Sequence, residues 1–477
     1  MPIFKKGDKH EVSNYRPISL TSLVAKTLER VLKDEILAHV HQNINEKQHG
    51  FLPSKSCSTN LIGLCDSLAI TLNENITTNI IYFDFAKAFD SVNHDLILHK
   101  LKTKFNIEGR LLKFITEYLR DRQQCVMVGG KLSSPRNAKS GVPQGSILGP
   151  ILFVLFINDI SDGISPETQL SLYADDTKIW RRILTESDIN RLQKDIEYLH
   201  DWALRNKMKF HPDKCKVLAV TAKSPETSLL SVLPFFRFIY SLGGKLLDYV
   251  ESEKDLGVLV TSNFNWAEQC ENVLSKANQK LGMSRRNCHF VIDENRRRVL
   301  YLTLVRSQFE HCSVIWRPVT KTLINKFESL QKRAIKWILR EEYMSYSSEM
   351  YILKCKQLNI MPIIDRFDFL DLIFFFKVVK GLVPVELPPY LTLYQGNTRL
   401  RNSHLDKLCY ISSLSPRSAT NAFAKSFFFR THTKWNHIPL VIRETESITE
   451  FKSQLTVHMW KNIMSEIQQD VLSDDSI

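Results

Sequence analysis

The sequence predicts an α+β fold whose second half is mainly helical. Three observations predict it. Short β-branched and aromatic runs, above all NIIYFDF at 79–85, alternate with helical periodicities in the first half. Beyond about residue 267 the apolar residues recur mostly at helical spacing. Finally, 477 residues with 43% hydrophobic and 24% charged composition describe a folded chain too long for one core, so two or three domains are expected.

The first long periodicity covers 22–40, where Leu23, Val31, Leu32, Ile36 and Val40 share a helical stripe, and 58–72 reads as a second helix. NIIYFDF is a strand. The helix that follows carries Phe89, Val92, Leu96, Ile97, Leu101 and Phe105 along one face. CVMVGGK (125–131) reads as a strand entering a glycine turn, 146–157 as a buried helix, and 186–204 as an amphipathic one. Two stretches read as punctuation. KSPETSLLSVLP (223–234) is polar and proline-bounded, and the proline-rich LVPVELPPY (382–390) sets off a C-terminal module.

Charge and cysteine content narrow the function classes. The net charge of +13 gives reason to suspect a polyanionic partner. Nine cysteines without a CxxC suggest neither a disulfide framework nor a zinc ribbon, and the pairs Cys288–His289 and His311–Cys312 read as ordinary side chains. The start, MPIFKKGDKH, lacks the apolar region of a secretory signal. The longest apolar run, ILGPILFVLFI, falls short of the roughly 20 residues a membrane span needs. The expectation is an intracellular protein, nuclear or cytoplasmic, with no membrane partner.

The acidic pair in QLSLYADDTKIW (169–180) is a poor strand interior, because Asp is depleted in strands and neighbouring carboxylates repel. A hairpin with Asp175–Asp176 at its tip and Lys178–Ile179–Trp180 as the returning strand relieves the repulsion. In NIIYFDF the period of two puts Ile80, Tyr82 and Asp84 on one face, so Asp84 is an acid at a strand end that can join the pair. Three carboxylates on a sheet suit a hard cation such as Mg²⁺. Each acid also has a plainer reading, Asp84 as the cap of the next helix and Asp175–Asp176 as a solvated turn.

The order of motifs favours the first reading. FDFAKAFD (83–90), GVPQGSILGP (141–150) and LYADD (172–176) resemble the successive palm motifs of reverse transcriptases. NYRPISL (14–20) and QHGFLPSKSC (48–57) look like the preceding fingers motifs, and NKMKFHPDKCKVL (206–218) and EKDLGVLVTSNFNW (253–266) like the two that follow. In detail the chain is similar to the non-LTR, LINE-type, jockey-like branch, and the resemblance runs on to SFFFRTHTKWNHIPL near the C-terminus.

This resemblance implies a right-hand polymerase of fingers, palm and thumb that extends a DNA primer on an RNA template from dNTPs. Two Mg²⁺ ions, with Mn²⁺ as a substitute, would be held by Asp84, Asp175, Asp176 and the backbone carbonyl of Phe85. Phe89 would be the steric gate against a 2′ hydroxyl, while also beginning the apolar stripe of its helix. Gln144 and Gly145 would meet nucleotide and template, and Lys55 and Arg16 are the triphosphate candidates. Lys214 and Lys216 are candidates for the acid that protonates pyrophosphate.

Further along, Leu256, Gly257 and Val258 would form the primer grip, a hairpin. The helix with Trp266, Cys270, Val273, Leu274, Ala277 and Leu281, followed by Arg285–Arg286 and Arg296–Arg297–Arg298, would be a thumb whose basic face follows a duplex. The resulting division is fingers 1–78, palm 79–266, thumb and connector 267–385, and a C-terminal module 386–477 whose Phe427, Phe428, Trp435 and Trp460 read as core. The family places an endonuclease before the polymerase, and this chain starts inside the first fingers motif, so nicking would have to come from elsewhere. The rival readings are a catalytically inactive remnant that only binds nucleic acid, a two-metal cyclase, and an intron-encoded maturase. Gln144–Gly145 and the thumb argue against the cyclase, and a maturase should carry a different C-terminal region.

Overall fold

In the computed structural model, which describes residues 1–5, 7–222, 238–341, 343–393, 409–411 and 420–474, the alternating apolar runs of the first half build a five-stranded sheet. The chain divides into two units. The first comprises Met1–Asn60, Ile76–Ala219 and the described residues up to Glu251, and the second comprises Leu61–Asn75, Val220–Ala222 and the described residues from Ser252 onward. The linker reading of 223–234 lies outside the described residues.

The first unit opens with a hairpin of β1 (Pro2–Phe4) and β2 (Tyr15–Pro17), followed by α1 (Leu23–Val40), whose N-terminus is capped by the Ser22 hydroxyl accepting from the Ala25 amide. The helix α2 (Cys57–Asn73), which from Leu61 onward is counted with the second unit, precedes β3 (Thr77–Phe83). The single helix expected after β3 is two, α3 (Ala88–Ser91) and α4 (His94–Phe105). The break has a local cause. The Asn93 side chain accepts from the Leu96 amide and starts a new helix, so the stripe from Phe89 to Phe105 is split between two axes.

Next come α5 (Gly109–Leu119) and α6 (Leu148–Phe156), the latter apolar on every side and buried accordingly. The acidic hairpin is β4 (Gln169–Tyr173) and β5 (Asp176–Ile183), followed by α7 (Glu186–Arg205), β6 (Lys216–Val220) and β7 (Asp248–Tyr249). The sheet order is β7-β6-β3-β5-β4. Ile81 and Phe83 of β3 join Leu170, Leu172 and Ile179 in a core shared with Ile97, Leu101, Leu152 and Phe156. Each buried aliphatic or aromatic side chain of this kind contributes about 1.5–3 kcal/mol. The period of two therefore sends Ile80, Tyr82 and the next even position, Asp84, to the other face.

The second unit is mainly helical, as the periodicity predicts. Its stretch from Ser252 onward starts with a hairpin of β8 (Ser252–Asp255) and β9 (Val258–Thr261), whose turn is Leu256–Gly257. Helix α8 (Ala267–Asn287) buries Cys270, Val273, Leu274, Ala277 and Leu281, the predicted stripe. Helix α9 (Ile363–Val379) carries Phe375 and Phe376, which pack on Trp435 and Phe451 from the C-terminal residues. Phe427, Phe428 and Trp435 are core residues. The basic run Arg296–Arg297–Arg298 is not one face. Arg297 is buried and donates to the carbonyls of Val291, Trp337 and His289, and Arg298 donates to those of Leu358 and Asn359. Arg285, Arg286 and Arg296 remain exposed.

Among the described residues, no helix is long and apolar enough to cross a membrane.

Candidate active site

The antiparallel register of β3 and β5 sets Phe83 opposite Thr177. Continued by one residue, it brings Asp84 opposite Asp176. In the β4–β5 hairpin Tyr173 pairs with Asp176, so the turn residues are Ala174 and Asp175 rather than the expected Asp175–Asp176. Ala174 takes a left-handed conformation with φ of 55°. Asp175 thus stands at the tip and Asp176 begins the returning strand. The helix-cap reading of Asp84 does not hold, since neither α3 nor α4 is capped by it; Asp175 lies in the turn and Asp176 is exposed, as the solvated-turn reading also expects.

Burial pushes the half-buried Asp175 carboxyl above its ordinary value. The like charge of Asp84 adds to this, while Arg16 and Lys5 oppose it. The β1–β2 hairpin therefore delivers two cations to the acids. Lys5 escaped the sequence reading because nothing local marks one surface lysine among many. The Asp84 amide donates to the Cys215 sulfur at 3.5 Å, and its carbonyl accepts from the His211 amide at 2.7 Å. Lys214, on the turn after His211, places its ammonium 3.5 Å from the Asp84 carboxylate. Lys216 is committed elsewhere, to Asp248 at 2.7 Å.

Phe89 stacks on Phe153 with centroids 4.5 Å apart and meets Phe51 edge-on. It is half-buried and packs against the core. Its carbonyl accepts from the Val142 amide, and the Asp90 carboxylate accepts from the Gln144 side-chain amide at 3.0 Å. These bonds tie the FDFAKAFD and GVPQG segments together. The Gln144 carbonyl accepts from Ser19, and a Cβ at Gly145, where φ is 110°, would stand 2.8 Å from the Ser19 carbonyl oxygen. Only glycine suits that position.

Two more residues at the site were illegible in the sequence. Glu29, 3% exposed on α1, accepts from the amides of Ile147 and Leu148 at 2.6 and 3.1 Å, and so caps α6 just past Gly145. Gln48, 1% exposed, accepts from the Gly50 and Ala174 amides. Lys55 does not point outward as a free cation, since its ammonium donates to the carbonyls of Glu46 and Gln48. Phe85 bridges to Phe210 and is buried. Leu256, Gly257 and Val258 lie in the second unit, where the Leu256 carbonyl bonds the His311 ring.

Among the described residues, no group of three or more His, Cys, Asp or Glu side chains is placed to hold a metal ion. Asp84 and Asp175 are near enough for the charge of one to act on the other.

A family model described as reverse transcriptase (RNA-dependent DNA polymerase) matches residues 3–271, more than half of the chain. The chain belongs to the reverse transcriptase family. Its α+β architecture, with a helical second half, accords with the polymerase fold expected of that family. Over 356 residues it is 27% identical to a probable RNA-directed DNA polymerase from transposon BS of Drosophila melanogaster, covering 70% of this chain and 37% of that protein. The RNA-directed DNA polymerase from mobile element jockey of Drosophila funebris is 23% identical over 355 residues, again covering 70% and 37%. The chain thus spans little more than a third of these curated relatives. Apo telomerase from Candida Tropicalis superposes with a TM-score of 0.38 at 10% identity, covering 75% of this chain and 58% of that one. The matched span contains Asp84, Phe89, Gln144, Gly145, Asp175, Asp176 and Lys214.

Proposed function

We propose that this chain is the RNA-directed DNA polymerase of a non-LTR, jockey-like retrotransposon, acting on an RNA template, a DNA primer and dNTPs. The reading is supported by the strand register that sets Asp84, Asp175 and Asp176 at adjoining strand ends and by the Gln144–Asp90 bond that ties the Gln144–Gly145 turn to the helix of Phe89. In the reaction the primer 3′ oxygen bonds to the α-phosphorus of the dNTP. The α–β phosphoanhydride breaks and pyrophosphate leaves.

An open face of hard oxygen donors suits Mg²⁺, which keeps waters and shares its shell with substrate phosphates rather than demanding an all-protein cage. Asp84 and Asp175 would hold two such ions, or Mn²⁺, with Asp176 and the Phe85 carbonyl completing the shell. When bound, the ions activate the attacking hydroxyl and stabilise the leaving pyrophosphate.

The chain's own residues supply the rest. Arg16 and Lys5 hold the triphosphate by charge. The bulk of the Phe89 ring excludes a 2′ hydroxyl, which selects dNTPs. Gln144, steadied by Asp90, fixes the nucleotide, and the bare Gly145 backbone lets the templating base approach. Lys214 gives its proton to the departing pyrophosphate, whereas Lys216 is held by Asp248. Residues 1–78 serve as fingers, 79–266 as palm, 267–385 as thumb and connector, and Leu256–Gly257–Val258 as primer grip. Primer extension on an RNA template tests the reading. A chain that binds template-primer and extends nothing is a binding remnant instead.

A further inference from the structure

β4 is an edge strand, yet its outer side is occupied. The Leu172 amide donates to the Lys47 carbonyl at 2.9 Å, and the His49 amide to the Leu172 carbonyl at 2.8 Å. Asn60 adds bonds to the Ser171 hydroxyl and the Leu172 carbonyl. At the hairpin tip, the Gln48 side-chain oxygen accepts from the Gly50 amide at 2.7 Å and the Ala174 amide at 2.9 Å. Gly50 passes so close that a Cβ there would collide with the Ala174 nitrogen. Lys55 ties the segment by bonding the carbonyls of Glu46 and Gln48 at 2.8 and 2.7 Å. His49 bonds the Thr59 hydroxyl.

We infer that Gln48 is a positioning residue for the metal-binding acids: its amide oxygen, with the Gly50 backbone, holds Ala174 in the left-handed conformation that sets Asp175 and Asp176 side by side. Lys55 belongs to the same brace and is not a triphosphate ligand. The choice of glutamine has a physical reason. Its nitrogen is buried without an acceptor, a loss of about 1–3 kcal/mol. A glutamate would satisfy both amides without that loss, but would set a fourth negative charge beside the three acids. A non-glycine residue in the left-handed region costs roughly 1–2 kcal/mol, so Ala174 keeps that geometry only while something holds it.

The assignment rests on the polymerase reading, and its first test needs no turnover. Mn²⁺ is titrated into the purified full chain without nucleotide and followed by electron paramagnetic resonance, with Asp175→Asn defining the site. Gln48→Leu should weaken the Asp175-dependent binding by about 10-fold or more, the loss usual for partners of metal ligands. Gln48→Glu keeps the acceptor and adds a negative charge beside the acids, so it should bind Mn²⁺ no more weakly than the unsubstituted chain. Asp195→Ala, which removes the acceptor of the bonds from Ser165 in the same unit, should lower the melting temperature without weakening Mn²⁺ binding. Equal loss in Asp195→Ala, unchanged binding in Gln48→Leu, or no Asp175-dependent binding in the unsubstituted chain overturns the inference.

If Gln48→Leu does not fold, Lys55→Met decides. A lower kcat with KM for dTTP unchanged supports the brace, and a raised KM with kcat unchanged refutes it. Gln48-dependent binding in a chain that extends no primer removes the polymerase reading and leaves this one standing.

Discussion

Replacing Glu29 should unseat the start of α6, and the size of the effect follows from its bonds. One carboxylate oxygen accepts from both Ile147 and Leu148, and the side chain is 3% exposed. Glu29→Leu removes a charged acceptor from two buried amides, each bond being worth about 1.5–3 kcal/mol, so about 3–6 kcal/mol is lost. Glu29→Gln keeps an acceptor for both amides and loses only the charge at the helix N-terminus, about 1–2 kcal/mol. Urea unfolding followed by circular dichroism reads the difference. With a slope of about 2 kcal/mol/M, a 4 kcal/mol loss moves the midpoint by about 2 M. A Glu29→Leu midpoint within about 0.5 M of the unsubstituted protein would refute the capping role.

Phe89→Ala should raise incorporation of ribonucleotides relative to dNTPs, and an unchanged ratio in single-nucleotide extension removes the gate. Lys214→Ala should lower kcat by about 10²-fold or more while Lys216→Ala changes it little, as expected of a general acid held 3.5 Å from Asp84. The reverse pattern would transfer the acid role. Burial holds Asp175 above the ordinary carboxylate range, so turnover should fail as pH drops through that raised value. Arg16 lowers it, so Arg16→Met should move the acidic limb to higher pH. The same sign governs stability. A carboxyl whose folded-state pKa is raised loses stability when it ionises, so Asp175→Asn should melt higher at neutral pH in EDTA while losing activity.

Period-two alternation was enough to put Asp84 on the Ile80–Tyr82 face, and the apolar run at 147–157 was enough to show a buried helix. Those signals are local. The break at Asn93 was harder, because an apolar stripe runs through it and only the asparagine cap interrupts the axis. The hairpin tip shifted by one residue because Ala174, not an expected turn residue, carries the left-handed conformation. Glu29 and Gln48 were illegible for another reason. Each is a single polar residue in a helix or loop whose partners lie 118 and 126 residues away, and no periodicity records such a bond. Lys55 and Lys214 show the limit for long basic side chains. Sequence gives their charge, and only the fold shows that one is tied to carbonyls while the other faces Asp84.

The most direct test is primer extension by the purified chain on a poly(rA) template with an oligo(dT) primer, dTTP and Mg²⁺, beside Asp175→Asn. The account predicts a ladder of extended primer that the substitution abolishes. Equal products from both proteins, or none from either while template-primer is still bound, would contradict it.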